Sequence, residues 1–130
     1  MSINTKTLNH ALEFDALCDD AKSRIQEVSI DDVRAMQSGG VLFCLIDVRD
    51  KDEFDQYHIE KSEFLSKGWA EAKIHTLVES KDDKIVLYCG GGNRSALVAD
   101  NLQKMGYSNV LSMAGGIKAW VNAGNPILKA

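Results

Sequence analysis

Ile85-Val86-Leu87-Tyr88-Cys89-Gly90-Gly91-Gly92-Asn93-Arg94-Ser95 sets an apolar run, a cysteine, three glycines and an arginine directly ahead of a helix-like stretch, Ala96 to Met105. The order is strand, cysteine, glycine loop, arginine, helix. Glycines let successive backbone N–H groups turn inward as a nest. The helix that follows adds unpaired N–H groups and a partial positive charge. Both favour a thiolate, and the thiolate is the nucleophile. The run therefore reads as the carboxyl end of a buried strand that carries an anion cradle around a reactive cysteine.

Outward from this run the chain alternates between short strands and helices. Val41 to Val48 is a continuous apolar stretch, which reads as a strand buried on both faces of a parallel sheet. Val28-Ser29-Ile30 reads as a short edge strand, and Ser29 or Asp31 caps a short helix through Met36 that Gly39-Gly40 ends. Asp50 to Tyr57 is a short polar helix carrying Phe54, Ser62 to Leu65 a weak strand, and Trp69 to Val78 a helix with Ala72, Leu77 and Val78 facing inward. Val110 to Met113 is a last strand, Gly115-Gly116 a turn, and Ile117 to Ala123 a final helix that Trp120 packs onto the sheet. This alternation predicts an α/β fold with right-handed crossovers and a mostly parallel central sheet covered by helices on both faces. In such sheets ligands sit beyond the carboxyl ends of the strands. Cys89, Asp47-Val48-Arg49 and Ala114-Gly115-Gly116 converge there. Residues 1–27 form an N-terminal helical extension, with Leu8, Leu12, Leu17, Ala21 and Ile25 at roughly helical spacing. It lays this stripe on the body of the domain or serves as a dimer or partner contact. Residues 28–130 form the one domain.

The chain of 130 residues is long enough for one real core. A formal charge of −4 argues against a nucleic-acid partner. No apolar run approaches the ~18 residues of a membrane span, and Met1 to His10 lacks the apolar core of a signal peptide. Cys18, Cys44 and Cys89 include no close pair, so they make neither a disulfide framework nor a zinc site. Free thiols point to a reducing, cytoplasmic setting. Gly90-Gly91-Gly92 supplies no Walker lysine and no dinucleotide fingerprint, which removes a nucleotide site. Cys18 and Cys44 read as inert small hydrophobes, with a resolving role for Cys18 as the minor alternative. His10 and His75 carry no signal.

Three motifs resemble those of the rhodanese-like family. Leu45-Ile46-Asp47-Val48-Arg49 with Glu53-Phe54 and His58-Ile59 is similar to its first half. Tyr88 to Ser95 is similar to its active-site loop, and Gly115 to Trp120 with Ala123 to Ile127 to its C-terminal end. One departure stands out: the family's usual Pro-Gly-Ala after His58-Ile59 is replaced by Glu60-Lys61-Ser62, which leaves the next turn and strand open.

The resemblance implies sulfur transfer. Cys89 would take sulfane sulfur from thiosulfate or a low-molecular-weight persulfide and, as a persulfide, pass it to a thiol or to cyanide, alone or with a protein partner in a relay. Gly90, Gly91, Gly92, Asn93, Arg94 and Ser95 would hold the sulfur and the donor, and no metal or organic cofactor is needed. Arg94 has two readings, contact with an anionic donor or a tie to a carboxylate such as Asp47. Ser95 reads as a helix cap, and Asn93 as a residue tolerant of a left-handed turn. Asp47 and Arg49 are supporting residues: Asp47 braces the Cys89 loop through backbone N–H groups, and Arg49 pairs with a carboxylate such as Glu53. His58 reads as a hydrogen-bonded structural histidine. Two rival classes remain. A phosphatase or arsenate reductase uses the same cysteine, loop and arginine, but related phosphatases carry one more residue than the four between Cys89 and Arg94. A binding or sensor module of this family would have lost the cysteine, which is retained here.

Overall fold

A computed structural model describes residues 10–129. The elements in chain order are α1 (Leu12–Lys22), β1 (Gln26–Val28), α2 (Ile30–Ser38), β2 (Cys44–Asp47), α3 (Lys51–Gln56), β3 (Tyr57–Ile59), β4 (Glu63–Phe64), α4 (Lys67–Lys73) running into a 3₁₀ turn (Ile74–Thr76), β5 (Ile85–Tyr88), α5 (Asn93–Lys104), β6 (Val110–Met113), α6 (Gly116–Asn122) and β7 (Ile127–Lys129). Five strands make one parallel sheet in the order β1-β6-β5-β2-β4. A separate antiparallel ribbon pairs β3 with β7.

The strands alternate their burial between two cores, which is why their apolar runs are continuous. Ile85, Leu87 and Cys89 face α4 and α5 with Ile46, Val48, Ala70, Ile74, Val98 and Leu102. Val86 and Tyr88 face α2 and α6 with Val33, Leu45, Met113, Ile117 and Trp120. The indole N–H of Trp120 donates to the Pro126 carbonyl at 2.9 Å, closing the chain end over α6. β5 is central, with β2 and β6 on either side, so the three strand ends singled out from the sequence lie side by side.

Several boundaries differ from expectation. β1 starts two residues early because Ser29 is occupied as the N-cap of α2: its Oγ accepts from Asp32 N–H at 3.0 Å, and Asp32 returns a bond to Ser29 N–H. β2 begins only at Cys44, and Leu42 is 92% exposed. In α4 and the 3₁₀ turn after it, Ala70 and Ile74 face inward and Ala72 is exposed, while Val78 is buried and Leu77 packs on the same core as expected. Leu12 and Leu17 of α1 are also exposed; the helix buries Ala21, as the stripe predicts, together with Cys18, and Leu8 lies outside the described residues. Small residues let α1 approach α5 closely. Lys61 occupies the family's glycine position in the altered turn at φ 69°, the one non-glycine residue with positive φ among those described. The turn holds because the Ser62 hydroxyl donates to the Ile59 carbonyl at 2.6 Å and meets the Tyr88 hydroxyl at 2.9 Å.

Candidate active site

Cys89 sits one residue beyond the end of β5 and is 1% exposed. Its Sγ accepts from the Gly92 N–H at 3.1 Å and the Ser95 N–H at 3.4 Å. The Ser95 hydroxyl lies 3.5 Å from Sγ and 2.8 Å from the Ser112 hydroxyl on β6. Ser95 is thus the third residue of α5 and a neighbour of the sulfur, not the helix cap. The cap is Gly92, whose φ of 102° turns the loop into the helix. Asn93 is helical, so the left-handed residue expected there is Gly92 instead.

The loop owes its orientation to α6. The Cys89 carbonyl accepts from the Ile117 N–H at 2.9 Å, and the Gly90 carbonyl from the Lys118 N–H at 3.1 Å. In a trans peptide the carbonyl and the following N–H point in opposite directions. Tying these two carbonyls to α6 therefore turns the Gly90 and Gly91 N–H groups away from it, toward the loop interior. Among the described residues, the N–H groups of Gly90, Gly91, Asn93 and Arg94 have no acceptor. Gly116 makes this docking possible: a Cβ there would lie 2.5 Å from both carbonyl oxygens. The sequence places Gly116 in a turn near the site, and the contact with the loop carbonyls supplies the reason for the glycine.

The charged residues pair differently from expectation. Asp47 does not brace the Cys89 loop. Its carboxylate accepts from the Arg49 backbone N–H at 2.9 Å and from the Arg49 guanidinium at 2.8 to 3.1 Å, and both residues are buried. Arg49 also donates to the Tyr57 carbonyl at 2.7 Å, tying β2 to β3. Arg49 therefore pairs with Asp47 and not with Glu53. Glu53 instead grips Arg94 through both guanidinium nitrogens, at 2.8 and 3.2 Å. The guanidinium lies over the loop, where an added Cβ on Gly90 would sit 3.1 Å from its Nη2. Glu53 and Arg94 are 41 residues apart, so no spacing signalled their partnership, whereas Asp47 and Arg49 are near neighbours in sequence whose mutual pairing the fold selects. His58 Nδ1 donates to the Phe54 carbonyl at 3.0 Å and the ring stacks on Phe54, a structural placement. Burial pushes the Cys18 and Cys44 thiols up, away from the thiolate.

The Arg94 guanidinium holds the Glu53 carboxyl below the usual glutamate range. A depressed folded value contributes stability at higher pH, and the contribution fades as pH falls below 4.5, the ordinary glutamate value. Both side chains are about one-third exposed, so solvent screening keeps the pair under about 1 kcal/mol. The expected result is that wild type and Glu53→Gln differ most in urea stability at pH 7, with the gap closing by pH 3; a gap that widens on acidification contradicts it.

Two cavities of about 480 and 420 Å³ open near the amino ends of the strands, around Leu42, Phe43 and Leu45, so neither contains the Cys89 thiol. Among the described residues no cluster of histidine, cysteine and carboxylate side chains is placed to hold a metal, and no helix is long and apolar enough to cross a membrane.

The family model for the rhodanese-like domain matches residues 29–123. The chain belongs to the rhodanese-like family, a family that includes sulfurtransferases. It is 29% identical over 129 residues to the probable adenylyltransferase/sulfurtransferase MoeZ of Mycobacterium tuberculosis, covering 95% of this chain but only 33% of MoeZ. The thiosulfate sulfurtransferase GlpE of Coxiella burnetii is 32% identical over 76 residues, 58% of this chain and 69% of GlpE. Among solved structures, a Rhodopseudomonas palustris protein of unknown function, described as a possible tyrosine phosphatase, superposes with a TM-score of 0.78 at 32% identity, over 98% of this chain and 99% of that one.

Proposed function

We propose that the chain is a sulfurtransferase that carries sulfane sulfur as a persulfide on Cys89. One observation carries this reading: the Cys89 sulfur accepts from two backbone N–H groups, those of Gly92 and Ser95, and the N–H groups of Gly90, Gly91, Asn93 and Arg94 in the same loop have no acceptor among the described residues. With thiosulfate, the Sγ thiolate attacks the outer sulfur, the S–S bond of the donor breaks, and sulfite leaves with its electron pair. The product, Cys89–S–S⁻, keeps its negative charge on the outer sulfur, where preorganised N–H donors stabilise it. Attack on that outer sulfur by cyanide or a thiolate returns the Cys89 thiolate and completes the exchange. Gly90 through Ser95 form the cradle, the Ser95 hydroxyl adds a donor, and Asp47 with Arg49 holds the neighbouring strand end. No step requires a metal or organic cofactor. The acceptor is a small thiol or a partner protein, and a reducing, cytoplasmic compartment suits a free nucleophilic thiol.

The phosphatase description of the Rhodopseudomonas palustris relative is the observation that favours a second reading. Two features weigh against it. Four residues separate Cys89 from Arg94, one fewer than in related phosphatases, and a smaller nest favours a sulfur atom over a tetrahedral phosphate. The Arg94 fork, which would have to grip a phosphate, is filled by Glu53. The direct test runs two assays on one preparation: thiocyanate formation from thiosulfate and cyanide, and hydrolysis of p-nitrophenyl phosphate. Thiocyanate turnover without phosphate release is expected. Phosphate release with no thiocyanate would replace the sulfur-transfer reading by the phosphatase one.

A further inference from the structure

Attack of a thiolate on thiosulfate gathers three negative charges at one point, so the charge balance of the cradle decides which donors it admits. Its two arginines contribute little net charge. Arg94 is closed by Glu53, and Arg49 by Asp47. Lys22 is different. It comes from α1, ahead of residues 29–123 that the family model matches. Its Nζ donates to Asn93 Oδ1 at 2.9 Å, across 71 residues of sequence, at the first residue of α5. Lys22 makes no ion pair among the described residues, so its charge is not cancelled by a bonded carboxylate. Its reach toward the site is held by other contacts of the same segment. Cys18 and Ala21 are buried. The Arg24 guanidinium grips both carboxylate oxygens of Asp100 at 3.1 and 2.8 Å, and Gln103 donates to the Arg24 carbonyl at 3.0 Å.

We propose that Lys22 is the specificity-determining cation of the Cys89 cradle, recruiting anionic sulfur donors, so that the N-terminal helix supplies part of the substrate site. The proposal rests on the sulfur-transfer reading. Lys22 acts on the charge of the donor and not on the exchange itself, so its loss changes binding more than turnover. Lys118 also borders the loop: its backbone N–H holds the Gly90 carbonyl, and its side chain is exposed.

The test compares wild type, Lys22→Met, Lys22→Arg and Lys118→Met with two donors of different charge: thiosulfate, a dianion, and cysteamine persulfide, whose ammonium offsets its persulfide anion. For Lys22→Met the expected result is a rise of about tenfold in KM for thiosulfate at low salt, with kcat within about twofold, as for loss of one uncancelled charge near a dianion. The rise should shrink at about 0.5 M salt, where screening shortens the reach of that charge. Loading from cysteamine persulfide should be unchanged or faster, and Lys22→Arg should restore thiosulfate use. Equal losses with both donors would reduce Lys22 to a structural tie on Asn93 and overturn the proposal. So would an unchanged KM in Lys22→Met, or a tenfold rise confined to Lys118→Met. If wild type loads sulfur from neither donor, the sulfur-transfer reading itself fails, and that result is separate from any difference among the variants.

Discussion

Cys89→Ser is expected to abolish sulfur loading while the protein folds as before. A serine Oγ in place of Sγ still accepts from the Gly92 and Ser95 N–H groups, which now lie 3.1 and 3.4 Å from the sulfur. The cradle therefore keeps its hydrogen bonds, and urea stability should change by no more than about 1 kcal/mol. The chemistry does not survive. A hydroxyl needs an adjacent base to become a nucleophile, and the described residues offer none: His58 is engaged with the Phe54 carbonyl and ring. Turnover with thiosulfate and cyanide should fall at least about 1,000-fold, the scale of losing a covalent nucleophile. Residual transfer above one-tenth of wild type would show that another group carries the sulfur.

Gly116→Ala should damage stability and transfer together. At φ 60° any side chain is strained, and the new Cβ would stand 2.5 Å from the Cys89 and Gly90 carbonyl oxygens. These carbonyls are what α6 holds through Ile117 and Lys118 N–H. Left-handed strain and overpacking together predict a loss of about 2–4 kcal/mol in urea unfolding. Forcing the carbonyls away from α6 also rotates the Gly90 and Gly91 N–H groups out of the loop interior. A displacement of about 1 Å at a reacting group costs on the order of 100-fold, so sulfur loading per folded molecule should drop by that factor. Gly115→Ala is the control. Its φ is 79° and its Cβ would crowd only the Ala119 side chain, at 2.7 Å. It should lose stability but load sulfur normally once corrected for folded fraction. Normal loading by folded Gly116→Ala would show that α6 does not orient the loop.

What the sequence made legible was local. The cysteine, the glycine loop and the helix after it follow one another within a single run, and the strand before them is apolar on both faces, so β5, α5 and the place of Cys89 could be read directly. What it concealed depends on partners far apart in the chain. Arg94 and Glu53 are 41 residues apart, Ser95 and Ser112 are 17, and Lys22 and Asn93 are 71. Each side chain alone allows several partners, and only the fold chooses. The helix faces were legible only in part. The N-terminal stripe holds at Ala21 and Ile25, but Leu12 and Leu17 are exposed and the small Cys18 is buried in their place. In α4 the helix starts two residues early, at Lys67, and tightens into a 3₁₀ turn, which turns Ala70 and Ile74 inward and Ala72 outward, while Leu77 and Val78 pack on the core as expected. The β3–β7 ribbon, three residues on each strand, was too short to carry an alternation signal. Gly116 was visible as a glycine, but its reason, two carbonyl oxygens at 2.5 Å, exists only in three dimensions.

The central claim is a persulfide on Cys89, and the intact mass of the reduced protein after incubation with thiosulfate tests it most directly. The account predicts a gain of one sulfur atom that disappears when cyanide is added and never forms in Cys89→Ser. A mass that stays unchanged with thiosulfate and with glutathione persulfide alike would contradict it.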